Sequence, residues 1–156
     1  LKDNKEAISI LDAGRLNEDT LVLGKLVTYV ICSKDFAEEF SKIKIDYANK
    51  ETIISCYEKL KEYYNTNIII TLEEKGSFTE IDGKYCHLPS VKEKSLDSTG
   101  AGDIFHGAFA YFIANSYSLK DAIYYASIAG ALSVKTIGSR YSIPRLEEVE
   151  NYDDII

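Results

Sequence analysis

The chain has 156 residues and contains no methionine, at position 1 or anywhere else, which points to a piece of a longer translation product. No apolar run approaches the ~20 residues that span a bilayer. No basic stretch followed by an apolar one marks a signal peptide before or around Leu1. Cysteine is scarce: Cys32, Cys56 and Cys86 are odd in number, widely spaced and form no C-x-x-C, which excludes a disulfide framework and a cysteine-based zinc site. The two histidines, His87 and His106, do not pair as H-x-x-x-H. A reducing, cytoplasmic compartment follows, with the cysteines as core or surface thiols. Positive charge is in deficit, with 18 Lys+Arg against 25 Asp+Glu and a net charge of −7. Such a surface repels a phosphate backbone and anionic lipid, so neither nucleic acid nor membrane is expected as a partner. A small anion remains possible where backbone amides or a metal locally reverse the sign.

What is present is ordinary globular usage, 46% hydrophobic and 28% charged residues, which excludes a disordered tail and a fibre. With two prolines, no Pro/Ser linker and no repeat, the length fits one domain or the larger part of one. Ala7–Leu11 reads as a strand, 17–26 as a short helix, and Leu26–Cys32 as a buried strand. Ser33 is placed to cap a helix over 34–44. Glu51–Tyr64 has helical spacing, and Asn67–Leu72 is the clearest strand. Phe78–Ile81 and Lys84–Leu88 around Asp82-Gly83 read as a hairpin. A polar loop over 91–98 precedes a long helix to about Ala114. A second helix is expected over 120–136, stopped by Gly138, and a last one over 145–152, opened by Pro144. Strands alternating with helices predict an α/β fold on a mainly parallel sheet flanked by helices, with a small β-hairpin.

The distinctive stretch is Asp97-Ser-Thr-Gly-Ala-Gly-Asp103, followed at once by an amphipathic helix. Its apolar stripe is Ile104, Phe105, Ala108, Phe109 and Phe112, with Gly107, Ala110 and Ala114 on the other side for close packing. Gly100 and Gly102 permit unusual backbone angles and add no side chain. Their amides, with that of Ala101, form an anion hole at a helix amino terminus, suited to a phosphate. Asp103, in the first turn, would repel that anion as a ligand but suits a proton acceptor for a hydroxyl that attacks phosphorus. Two other phosphate loops fail: Gly102 to Gly107 has P-loop spacing but Ala108 in place of lysine, and a G-x-G-x-x-G from Gly100 would end on Phe105. No G-x-S-x-G is present.

Asp97-Ser-Thr-Gly-Ala-Gly-Asp103-x-Phe105 resembles the second signature of the ribokinase family of sugar and nucleoside kinases, the phosphofructokinase B type. Thr71-Leu-Glu-Glu-Lys-Gly76 resembles that family's T-x-G-x-x-G element, and Gly138-Ser-Arg-Tyr-Ser-Ile-Pro144 its closing loop. The register from Ile8 to Tyr152 resembles the carboxyl-terminal half of such kinases, which leaves the amino-terminal half and its lid outside residues 1–156. The resemblance implies a carbohydrate kinase that uses ATP with magnesium to phosphorylate a hydroxymethyl group of a sugar or nucleoside. It implies Asp103 as catalytic base, Gly100, Ala101 and Gly102 as holders of the transferring phosphoryl group, and Thr71 and Gly76 at the nucleotide. It also implies a monovalent cation such as K+, with Asp97 and Ser142 as side-chain ligands and carbonyls from Thr99 and Gly138. For Asp97, an Asx turn before the glycines is an equal reading.

Two departures from the family pattern stand out. The N-x-x-E element that helps hold magnesium is replaced by Ser33-Lys-Asp-Phe36, as in the ketohexokinase branch. Asp35, Glu38 or Glu39 could substitute, though a solvated helix start is the preferred reading of all three. The first glycine of T-x-G-x-x-G is Glu73, which points to solvent, binds metal or weakens nucleotide binding. These departures motivate an alternative, a non-catalytic member of the fold that binds nucleotide or sugar as a regulator. His106 is expected to be packed rather than catalytic, and the twelve tyrosines to serve packing. Arg140 is expected either at a nucleotide phosphate or in a surface ion pair. A sheet edge and face carrying Ile8, Ile10, Val30 and Ile69 are expected to lie bare without the other half. The chain would then self-associate as a homo-oligomer or depend on the missing amino-terminal half.

Overall fold

A computed structural model describes residues 7–152. The chain divides into two compact units, the first comprising Leu1–Glu73 with Ser77–His87 and the second Glu74–Gly76 with Leu88–Ile156.

The first unit is built on a five-stranded mixed sheet: β1 (Ile10–Ala13), β2 (Tyr29–Ser33), β3 (Asn67–Thr71), β4 (Ser77–Ile81) and β5 (Lys84–Leu88), adjacent in chain order. β1, β2 and β3 run parallel, with Ile10 opposite Tyr29 and Val30 opposite Ile68, and β4 returns antiparallel with Ile70 opposite Phe78. The parallel connections are made by α1 (Glu18–Leu23) and by α2 (Lys34–Ser41) with α3 (Lys50–Tyr64). The expected hairpin forms, with Asp82 and Gly83 both at positive φ, 51° and 74°, the backbone of a tight turn that matches strand twist. Ser33 caps α2 as expected, its hydroxyl accepting the Phe36 amide.

Alternation along the strands decides what each face meets. Val30, Cys32, Ile68 and Ile70 pack with Phe36, Ala37, Cys56, Tyr57 and Leu60 of α2 and α3 in a continuous core. Burial pushes the Cys32 thiol and, to about 12, the Tyr57 and Tyr64 hydroxyls above their ordinary values. The expectation of a bare face fails at Val30 and Ile69. They point to opposite faces of the sheet, and both are fully buried. Of the four residues named for that edge, only Ile8 is substantially exposed, at 50%. β1 begins three residues later than the apolar run suggests, because its pairing with β2 fixes the register.

The second unit is helical: α4 (Ala101–Ala114), α5 (Leu119–Ser133) and α6 (Leu146–Glu150). Phe105, Phe109, Phe112 and Ile113 bury one side of α4, packed with the small residues Ala122, Ala126 and Ala129 of α5, all buried. The Phe112 and Tyr125 rings stack at 4.8 Å, in keeping with tyrosines used for packing. Gly107, Ala110 and Ala114 do not serve close helix packing. They are exposed, and a Cβ at Gly107 would meet nothing within 4 Å. α5 ends at Ser133, five residues before Gly138, because the Val134 carbonyl turns away to accept the amides of Leu96 and Asp97 at 2.7 and 3.1 Å. No helix among the described residues is long and apolar enough to cross a membrane.

Candidate active site

The turn into α4 is set by Gly100, which sits in the left-handed region at φ 80°, ψ 1° as the residue before the first helical one. A side chain there is disfavoured twice over. The conformation itself costs an L-residue roughly 1–2 kcal/mol, and a Cβ would lie 2.7 Å from the Ser139 Cβ. No side chain caps this helix, and its first amides have no intrahelical partner; contrary to expectation the Ala101 amide is already engaged, donating to the Ser98 carbonyl at 3.2 Å, which leaves those of Gly100 and Gly102 for an anion. Gly102 differs from the expectation of unusual angles. It is helical, exposed, and a Cβ on it would meet nothing within 4 Å. Nothing in the protein itself therefore calls for glycine at 102; the bareness keeps open the space in front of the amides. Asp103 is the third residue of α4 and is exposed. It lines a cavity of about 520 Å³ together with Gly100, Ser139 and Arg140, whose remaining wall is mainly apolar.

Asp97 ties two loops together. Its Oδ1 accepts the Thr99 amide at 2.9 Å, the Asx turn anticipated from sequence, and its Oδ2 accepts the Gly138 amide at 3.0 Å. The Gly138 hydrogen bond, then those from Thr99, hold its carboxyl well down, at about 2, so it carries a fixed negative charge at neutral pH. Gly138 is itself at φ 92°, and its carbonyl accepts the amides of Tyr141 and Ser142, both at 3.1 Å. Ser142 is buried and donates its hydroxyl to the Ser139 carbonyl at 3.1 Å. Asp97, Thr99, Gly138 and Ser142 are thus brought into one hydrogen-bonded group. An ionised carboxylate, a hydroxyl with its lone pairs free and the Thr99 carbonyl are hard oxygen donors that fit a monovalent cation. The Gly138 carbonyl is already doubly engaged. Among the described residues no group of three or more His, Cys, Asp or Glu is arranged to hold a metal.

The carboxylates after β2 separate in the structure. Asp35 and Glu39 are exposed. Glu38, read as solvated, is buried at 6% exposure. It contacts Lys44 at 2.5 Å and Lys34 at 3.7 Å, and accepts the Ile45 amide at 2.9 Å. Burial pushes its carboxyl up, but the Lys44 hydrogen bond, the Ile45 amide and the two lysine charges outweigh that and leave it below its ordinary value. Glu38 is therefore a structural anchor and not a metal ligand in waiting. Thr71 lies at the end of β3, its hydroxyl donating to the Cys32 carbonyl at 3.3 Å. Glu73 is exposed and sits at φ 54°, so the left-handed backbone that suits the family's glycine is kept here with a side chain on it. Gly76, at φ 93°, is required by its neighbours, since a Cβ would meet the Leu88 carbonyl at 2.0 Å. The His106 ring meets the Gly102 carbonyl at 2.6 Å within α4, the packed role expected of it. Arg140, exposed, makes no ion pair among the described residues.

Residues 6–146 match the profile described as pfkB family carbohydrate kinase. The chain belongs to the pfkB family of carbohydrate kinases. This pfkB-family chain is 34% identical over 93 residues to a ribokinase of Lactococcus lactis, covering 60% of this chain and 31% of that protein. Its fold superimposes on a ribokinase of Thermotoga maritima with a TM-score of 0.82 and 29% identity, over 96% of this chain and 50% of that one. A ribokinase of Cryptococcus neoformans solved in complex with ADP gives a TM-score of 0.75 and 25% identity, over 94% and 51%. The chain therefore spans about half or less of the length of these relatives, and its fold is ribokinase-like.

Two supports of the pfkB loop escaped the sequence reading. Ser139 packs directly on Gly100. Gly130, inside α5, brings that helix to within 3.4 Å of the Ala101 carbonyl when its missing Cβ is built. An isolated glycine inside a helical pattern was a legible signal for the second. No sequence signal marks the first.

Proposed function

We propose that the complete protein carrying this chain transfers the γ-phosphoryl group of ATP to a hydroxymethyl group of a sugar or related small molecule. The observation that carries this is the juxtaposition of Gly100, a left-handed entry to uncapped helix amides, with Asp103 on the wall of the same cavity. Family membership and the relatives named ribokinase support it, as does the ADP complex of one relative.

The proposed step uses few groups. The amides of Gly100 and Gly102 hold the γ-phosphoryl oxygens, that of Ala101 being shared with the Ser98 carbonyl, and the resemblance to the family's T-x-G-x-x-G element makes Thr71 and Gly76 the candidates for the nucleotide. Asp103 accepts the proton of the acceptor hydroxyl. That oxygen bonds to phosphorus, the bond from phosphorus to the β,γ-bridging oxygen breaks, and ADP leaves with the electron pair. Phosphoryl transfer of this type is dominated by positioning and by neutralisation of charge on the moving group. Magnesium, kept largely on phosphates and water, would arrive with the nucleotide; this chain's described residues offer it no cage. Asp97, Ser142 and the Thr99 carbonyl would hold a monovalent cation that steadies the loop and offsets charge.

The test is magnesium-dependent ADP release by the complete protein against a panel of sugars and nucleosides. Turnover with at least one acceptor is expected. Tight nucleotide or sugar binding without any turnover would replace this reading with that of a regulatory binding member of the fold.

A further inference from the structure

The residues lining the cavity beside α4 include one acid, Asp103, and one base, Arg140. The chain carries seven more negative than positive charges, yet Arg140 makes no ion pair among the described residues. An arginine on a largely apolar wall that makes no ion pair with the one acid there, Asp103, is a group that an arriving anion can satisfy, because guanidinium presents a planar fork of donors matched to phosphate oxygens. Its position is fixed by the loop that bears it. Asp97 grips the Gly138 amide at 3.0 Å, the Val134 carbonyl binds the Leu96 and Asp97 amides, and Ser139 lies against Gly100. Arg140 is the next residue, its Cα about 3.8 Å from that of Ser139, so an extended arginine side chain reaches the space in front of the α4 amides.

We propose that Arg140 is a binding residue for the phosphoryl group held at the start of α4, supplying the positive charge that the loop itself lacks. This rests on the reading of that loop as a phosphoryl site. It adds a charged contact from the closing loop, and makes Asp97 a positioning residue for it through Gly138. The contact would strengthen as charge spreads over the transferring oxygens, so it serves transfer as well as binding.

The experiment titrates the complete protein carrying this chain with inorganic phosphate and with ADP at fixed ionic strength, following ³¹P and backbone amide resonances. Arg140→Gln is compared with Arg140→Lys and with Lys120→Gln, an equal charge change at an exposed residue of α5. Arg140 is exposed, so its replacement leaves the fold intact, which the amide spectrum verifies. The expected result is about a tenfold weaker phosphate affinity in Arg140→Gln, as for loss of one charge-assisted contact, partial recovery in Arg140→Lys, and no change in Lys120→Gln. Unchanged affinity in Arg140→Gln, or an equal loss in Lys120→Gln, overturns the assignment of Arg140 alone. Absence of phosphate binding in the unmodified complete protein overturns both the phosphoryl site and Arg140. A loss specific to Arg140→Gln, with no kinase turnover in the complete protein, keeps Arg140 and sinks the kinase reading.

Discussion

Gly100 and Gly102 sit two residues apart in the same loop, and the structure assigns them opposite reasons for being glycine. At Gly100 the backbone is left-handed, φ 80°, and a Cβ would stand 2.7 Å from that of Ser139. Gly100→Ala therefore incurs roughly 1–2 kcal/mol for conformation. It incurs a further ~1–3 kcal/mol for forcing Ser139 and its loop aside. The expected total, about 2–5 kcal/mol, lowers the melting temperature by roughly 5–20 °C at the usual 2–4 °C per kcal/mol for this size. At Gly102 the backbone is helical and a Cβ meets open space. Gly102→Ala should leave stability unchanged or raise it by up to ~1 kcal/mol, the helix preference for alanine. It should nevertheless impair phosphate binding, because the new methyl occupies the space in front of the amides. The assays are chemical denaturation followed by circular dichroism, and phosphate titration of both variants. Stability changes of equal size, or normal phosphate affinity in Gly102→Ala, would refute the division of roles.

Three further outcomes are expected. Glu38→Gln should cost roughly 1.5–3 kcal/mol, the scale of hydrogen bonds to a charged group. Because the folded carboxyl lies below its ordinary 4.5, the contribution is complete at neutral pH. It fades as pH falls through and below 4.5, so denaturation curves of the two proteins should converge in acid and stay apart at pH 7. Glu73→Gly should stabilise by about half to one kcal/mol, since relief of the left-handed backbone, φ 54°, exceeds the entropy a glycine adds to the unfolded chain; a lower denaturation midpoint would show that the Glu73 side chain makes a contact worth more than the strain. In the complete protein, potassium should raise turnover above that in a bulky organic cation at equal ionic strength, and indifference to the cation would leave Asp97 as a loop tie alone.

Features made of near neighbours were legible in the sequence. Ser33 capping Phe36, the Asp82-Gly83 turn and the Asp97-to-Asp103 loop each depend on a few consecutive residues, so composition and spacing determine them. Features set by distant partners were not. β1 starts at Ile10 because Tyr29 lies opposite, and α5 ends at Ser133 because the next carbonyl serves Leu96 and Asp97. Glu38 reads as a surface acid on a helix. Its burial follows from the chain reversing at Lys42, φ 60°, which returns Lys44 and the Ile45 amide to it. The same limit hid Ser139, whose contact with Gly100 spans 39 positions, whereas Asp103 was legible because helix geometry alone places it beside the amides. Val30 and Ile69 were assigned to one bare face because pairing register, which sends them to opposite faces, is absent from the pattern of either strand.

The most direct test of the central proposal, that Asp103 accepts the proton of the acceptor hydroxyl beside a phosphoryl-holding loop, is turnover by the Asp103→Asn variant of the complete protein. Asparagine keeps the shape and removes the proton acceptor. ADP release at saturating acceptor should fall by roughly a hundredfold or more, the scale of general-base removal, while ATP affinity stays within a few-fold of the unmodified protein. Near-normal turnover in Asp103→Asn would contradict the account.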